Sequence, residues 1–145
     1  ASAVPPACVI CDYGTFWDNG VCTVCPAGRY ADSQGQVDCT DCPEGTYLAD
    51  DGQLWQLHAH AHFCTPCPPG RASNQVAAAS CAECQPGEHT SSPGSLFCDS
   101  CVSGVATHPG TIVCGACNPG FQPSSDRTLC EKCQAGYYSD EGFFC

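Results

Sequence analysis

The sequence predicts a small disulfide-rich fold: an elongated tandem array of short β-hairpin modules, with little regular secondary structure and no single core. Three observations predict it. Seventeen Cys stand among 145 residues, a density reached by short chains that are held by cross-links. Sixteen of them fall into eight C-x-x-C pairs, Cys8/Cys11, Cys22/Cys25, Cys39/Cys42, Cys64/Cys67, Cys81/Cys84, Cys98/Cys101, Cys114/Cys117 and Cys130/Cys133, with Cys145 alone at the end. The second Cys of every pair is followed three residues later by Gly, at Gly14, Gly28, Gly45, Gly70, Gly87, Gly104, Gly120 and Gly136.

Composition explains why such a chain needs staples. The hydrophobic fraction of 43 % is inflated by Cys and Ala, and the net charge is −11. Large apolar side chains are too scarce to offset roughly 1–2 kcal/mol of backbone entropy per residue, so only cross-links or metal would order it. Fifteen acidic residues against four basic ones argue against nucleic acid and anionic membranes, whose recognition depends on clustered Lys and Arg. No apolar run approaches a membrane span, and no leader pattern is present. The lack of Met, the start at Ala1 and the finish on Cys145 point to a piece of a longer protein.

The repeat spacing divides the chain into a lead-in over 1–10, from an upstream repeat, and modules over about 11–24, 25–41, 42–66, 67–83, 84–100, 101–116, 117–132 and 133–145. Each module opens with a tight turn. Cys25-Pro26-Ala27-Gly28, Cys67-Pro68-Pro69-Gly70 and Cys117-Asn118-Pro119-Gly120 carry Pro-then-Gly chemistry, which suits a turn needing φ > 0. Phe16, Tyr30, Tyr47 and Tyr138 follow two residues past the Gly, each offering a flat apolar face to cover a neighbouring disulfide. Further turn signals precede Leu96-Phe97-Cys98, Ile112-Val113-Cys114 and Phe143-Phe144-Cys145, which read as the returning strands of hairpins. Units this small must stack on their neighbours, as in a solenoid. At about one three- to four-residue strand of advance per module, eight would span on the order of 80–100 Å.

The run C-x-x-C-P-x-G-x-Y, a polar turn and the next C-x-x-C resembles the cysteine-rich repeats of ephrin-receptor-like ectodomains, and the first half of tumour-necrosis-factor-receptor modules. Cys25 to Cys42 and Cys42 to Cys67 carry it best. Long arrays of such repeats also typify algal and protist surface proteins, including mastigoneme glycoproteins. The resemblance implies an extracellular or cell-surface address, and a structural or ligand-binding role.

Disulfides in an oxidising compartment suit this pattern. A ladder would join the second Cys of each pair to the first of the next: Cys11–Cys22, Cys25–Cys39, Cys42–Cys64, Cys67–Cys81, Cys84–Cys98, Cys101–Cys114, Cys117–Cys130 and Cys133–Cys145, leaving Cys8 for an upstream partner. An interlocked scheme, Cys8–Cys22 with Cys11–Cys25 and so on, also uses sixteen Cys. Either would constrain the unfolded chain by up to about 3 kcal/mol per loop. Zinc is the rival chemistry for paired C-x-x-C, but each Cys₄ site would add two negative charges to a chain at −11. Thiol exchange requires a βαβ setting that is absent from the pattern.

The longest module contains Leu54-Trp55-Gln56-Leu57-His58-Ala59-His60-Ala61-His62-Phe63. As a strand, its alternation puts Trp55, Leu57 and Phe63 on one face, packing on a neighbour or partner, and His58, His60 and His62 on the other. Three imidazoles in a row are candidate ligands for Zn²⁺ or Cu²⁺. No N-x-Ser/Thr sequon occurs, since Asn19, Asn74 and Asn118 lack the third residue. Thr90-Ser91-Ser92-Pro93 and Pro123-Ser124-Ser125 are turn sequences open to O-linked glycans. No catalytic constellation and no calcium-loop run is found, so the expectation is a non-enzyme without cofactor. Its partners would be other proteins or further copies of itself. The function expected is an extracellular structural segment of a surface or filament glycoprotein, ciliary, flagellar or of the cell coat, or alternatively a receptor ectodomain that binds a ligand.

Overall fold

The computed structural model describes residues 8–145; the expected lead-in over 1–10 lies mostly outside them. Eight disulfides close eight successive loops: Cys11–Cys22, Cys25–Cys39, Cys42–Cys64, Cys67–Cys81, Cys84–Cys98, Cys101–Cys114, Cys117–Cys130 and Cys133–Cys145. The pattern is the ladder, not the interlocked scheme. Cys8 is a free, exposed thiol.

Among the described residues, the strands form only two-stranded antiparallel hairpins. In the first loop β1 (Thr15–Asp18) pairs with β2 (Val21–Val24) around Asn19 and Gly20. The next four hairpins share one design: two residues after the turn Gly pair with the two residues inside the following C-x-x-C. These are β3 (Arg29–Tyr30) with β4 (Thr40–Asp41), β5 (Thr46–Tyr47) with β6 (Thr65–Pro66), β7 (Arg71–Ala72) with β8 (Ala82–Glu83), and β9 (Glu88–His89) with β10 (Asp99–Ser100). The sixth loop keeps a single bridge, Val105 to Gly115, and the seventh pairs β11 (Phe121–Pro123) with β12 (Cys130–Lys132).

The returning strand therefore sits between the cysteines, not before them as the apolar runs suggested. Leu96, Phe97, Ile112 and Val113 lie outside the strands and are exposed. The disulfide fixes the two backbones at its own level, so the ladder continues along the residues beside the closing Cys, and the preceding side chains turn outward.

The loops are joined in chain order by a repeating set of backbone bonds. The turn-Gly N–H donates to the carbonyl three residues past the next turn Gly: Gly14 to Ala31 (2.8 Å), Gly28 to Leu48 (2.9 Å), Gly45 to Ser73 (2.8 Å) and Gly70 to Thr90 (2.8 Å). Each accepting residue then donates onward, Ala31 to His58 (2.8 Å), Leu48 to Ala78 (3.0 Å), Ser73 to Ser95 (3.1 Å) and Thr90 to Thr111 (3.3 Å). These bonds satisfy backbone groups that a chain without helices or wide sheets would otherwise leave to water.

The buried hydrophobic residues are mostly Cys. Cys25, Cys42 and Cys67 have no exposed surface. Phe16, from the first loop, packs on Cys25, Ala31 and Cys39 of the second. Tyr30, from the second, packs with Phe63 on Cys42, Leu48 and Cys64 of the third. An aromatic thus covers the disulfide of the next loop, while Tyr138 near the end is 71 % exposed.

Candidate interaction site

The long third loop departs from the extended strand that alternation suggests. Trp55–His58 and Ala61–Phe63 are two short 3-10 turns. Their cause is local: the Asp50 carboxylate accepts the backbone N–H groups of Gln53 (2.8 Å) and Leu54 (2.9 Å), and Gly52 adopts φ +68°. An Asp accepting from the backbone a few residues on turns the chain back instead of extending it.

Turning the chain separates the three histidines. His58 is fully buried, with Nδ1 2.6 Å from the Arg29 carbonyl oxygen and Nε2 3.0 Å from Asp50 Oδ2. His60 and His62 remain outside, stacked with centroids 5.3 Å apart, His60 beside Tyr13 and His62 beside Phe63. With both His58 nitrogens engaged, the three rings do not converge. Among the described residues, no group of three His, Cys, Asp or Glu is arranged to hold a metal ion.

The apolar residues of the segment also divide. Trp55 is 46 % exposed, Leu57 half-buried, and Phe63 turned inward onto the Cys42–Cys64 disulfide. Trp55 and Leu57 thus flank the displayed surface, which His60 and His62 complete. The Asp50 carboxyl is held below its ordinary range, chiefly by the Leu54 N–H and further by His58 and the Gln53 N–H, against the opposing effect of burial. No sequence signal marked His58 as interior. The Asp50-Asp51-Gly52 turn was the available clue that the chain reverses there.

Beyond this segment, Val9, Ile10, Trp17, Val21 and Val37 line an open groove beside Cys8. Of the candidate glycan acceptors, Thr90 and Ser124 are buried and hydrogen-bonded, to Ser95 Oγ (2.6 Å) and Asp126 Oδ1 (2.6 Å). Ser91, Ser92 and Ser125 are exposed.

Residues 14–53 match the family model described as tyrosine-protein kinase ephrin type A/B receptor-like. This segment is an ephrin-receptor-like cysteine-rich module. The match runs from the first turn Gly, through the complete Cys25–Cys39 loop, into the third loop as far as the Asp50 turn. No curated protein matches the chain. An ephrin-receptor-like module in an array of eight disulfides is an extracellular, disulfide-rich architecture. No helix among the described residues is long and apolar enough to cross a membrane.

Proposed function

We propose that the chain is a non-catalytic, disulfide-stapled rod segment of an extracellular surface or filament glycoprotein, of a cilium, flagellum or cell coat, that holds length and displays surface for assembly with other proteins or further copies. The observation that carries this reading is the linear joint. The same Gly-to-carbonyl bond recurs from one loop to the next, and an array whose hydrogen bonds join successive loops grows along one axis. Its surface of 8813 Å² exceeds the roughly 7,100 Å² of a globular monomer of this mass, as an extended body would. The exposed Ser91, Ser92 and Ser125 are the positions at which O-linked glycans would sit.

Small-angle scattering and sedimentation of the purified chain test this. A rod gives a radius of gyration well above the roughly 15 Å of a globule of this length, and assembly appears as concentration-dependent growth. A compact value that stays unchanged with concentration would end the proposal. The match of residues 14–53 to a receptor-like model favours a second reading, a ligand-binding ectodomain. A chain that stays monomeric at high concentration yet captures a single soluble protein would support that reading.

A further inference from the structure

We propose that His58 is a protonation-operated latch between the second and third loops. Its ring is fully buried between two oxygen atoms. Nδ1 faces the Arg29 carbonyl oxygen at 2.6 Å and Nε2 faces Asp50 Oδ2 at 3.0 Å. Both partners are acceptors, for Asp50 already accepts two backbone N–H groups as a carboxylate. A neutral imidazole has one N–H and one lone pair, so either tautomer sets a lone pair against an acceptor; only the imidazolium donates to both. The site is built for the charged ring, and a buried lone pair facing an oxygen is costly.

What the ring holds makes it a latch. Nδ1–H reaches across to β3 of the second loop, and Ala31 of that loop donates to the His58 carbonyl at 2.8 Å. The corresponding joints further along are made by the backbone carbonyls of Ala78, Ser95 and Thr111, without an imidazole. The segment also reaches the first loop, since the open face of Gly14 is filled by the Trp55 carbonyl and the Ala59 N–H. The titratable and charged groups on the surrounding elements are Asp50 on the same loop, Arg29 and Tyr30 on β3, Tyr13 on the first loop, and His60 and His62 on the next turn. The Arg29 guanidinium is engaged by Asp41 (2.7 Å) and Asp38 (3.5 Å), leaving Asp50 as the carboxylate on the ring. Loss of the His58 proton therefore frees the Trp55–Phe63 segment from the second loop and alters the surface that Trp55, His60 and His62 display.

The experiment follows the imidazole ¹⁵N resonances and amide exchange of the intact chain between about pH 5 and pH 8, the range in which histidines commonly titrate. His58 should carry protons on both nitrogens at the acid end and lose one as pH rises. Over the same interval the protection of the Ala31 amide should fall about tenfold, the size of one lost charge-assisted hydrogen bond. Ser73, at a joint without an imidazole, should keep its protection after correction for base-catalysed exchange. His58→Gln should remove the pH dependence at Ala31. The proposal is overturned by a ring already singly protonated at the acid end, by one that keeps both protons throughout, or by Ala31 protection that ignores the titration. The ring spectrum of the unmodified chain decides the matter even where His58→Gln fails to fold.

Discussion

Gly28 of the second loop leaves open the space that the Ala77 carbonyl of the fourth loop fills; a Cβ on Gly28 would overlap that oxygen. The same relation links Gly45 with Gly94 and Gly70 with Gly110, so each of these three turn Gly both bonds the next loop and gives room to the one after. Gly28 lies at φ +76°, and Ala77 takes φ +54° where Gly35, Gly94 and Gly110 stand in the equivalent turns. Opposite effects of adding and removing one methyl group follow. Gly28→Ala should destabilise by more than the 1–2 kcal/mol or so of the left-handed backbone alone, because it also meets a carbonyl. Ala77→Gly should stabilise by up to about 1 kcal/mol, the relief of that backbone less the added freedom of the unfolded chain. Thermal unfolding with disulfides intact would show both, and a Gly28→Ala variant as stable as the parent would disprove the close approach.

Removing a staple should have effects beyond its own loop. Cys25 and Cys39 are buried, Phe16 rests on them, and Ala31 between them receives the Gly14 N–H. Replacing both by Ser should cost about 2–4 kcal/mol and raise amide exchange in the first and third loops as well as the second. Replacing Cys133 and Cys145 should be felt only in the last two loops, where Cys117 donates to the Gly142 carbonyl at 3.1 Å. Peptide-level hydrogen exchange separates the two patterns, and equal spreading from both sites would contradict a coupling carried by the joints on either side of the second loop.

The repeat was legible because its parts are local. A Gly three residues past a Cys announces a left-handed turn, and all eight adopt positive φ, from +74° at Gly14 to +93° at Gly136. The third loop was not legible as a site. Trp55, Leu57 and Phe63 alternate with Gln56, His58 and His62 in a way that fits a strand, and short apolar runs do not distinguish extended chain from tight turns. What decided it was Asp50, eight residues before His58, capping the backbone and then accepting from the ring. Such a pairing depends on the reversal it helps to create. The array's second regularity, contact between alternate loops, has no sequence mark beyond the buried glycines themselves.

Covering aromatics should govern access to the sulfur beneath them. Phe16 lies over the Cys25–Cys39 bridge and Tyr30 over Cys42–Cys64. Phe16→Ala should cost about 1 kcal/mol, a fraction of a fully buried Phe, and should speed reduction of Cys25–Cys39 by an external thiol while leaving Cys67–Cys81 unchanged. Tyr138→Ala should do neither, since that ring is exposed. Mass mapping of partially reduced protein reads each bridge separately. Equal rates in parent and Phe16→Ala would show that the ring does not shield.

The seventh loop should loosen in acid through Asp126. Its carboxylate accepts the hydroxyls of Ser124 (2.6 Å) and Thr128 (2.8 Å) and the Thr128 N–H (3.1 Å), and these bonds, that of Ser124 foremost, hold it below the usual carboxylate range. A carboxyl whose folded value is depressed contributes stability that is fully present above its unfolded value, near 3.9 for Asp, and lost as pH falls through the folded one. The turn it organises positions Arg127, at φ +61°, whose carbonyl accepts the Ala106 N–H at 2.9 Å. Protonating Asp126 should therefore weaken the joint between the sixth and seventh loops, seen as faster Ala106 exchange below about pH 4 after correction for intrinsic rates. Asp126→Asn should start from the weaker joint and lose this acid dependence. If Ala106 protection falls away in acid equally in both proteins, the carboxylate does not hold the turn and the loosening has another origin.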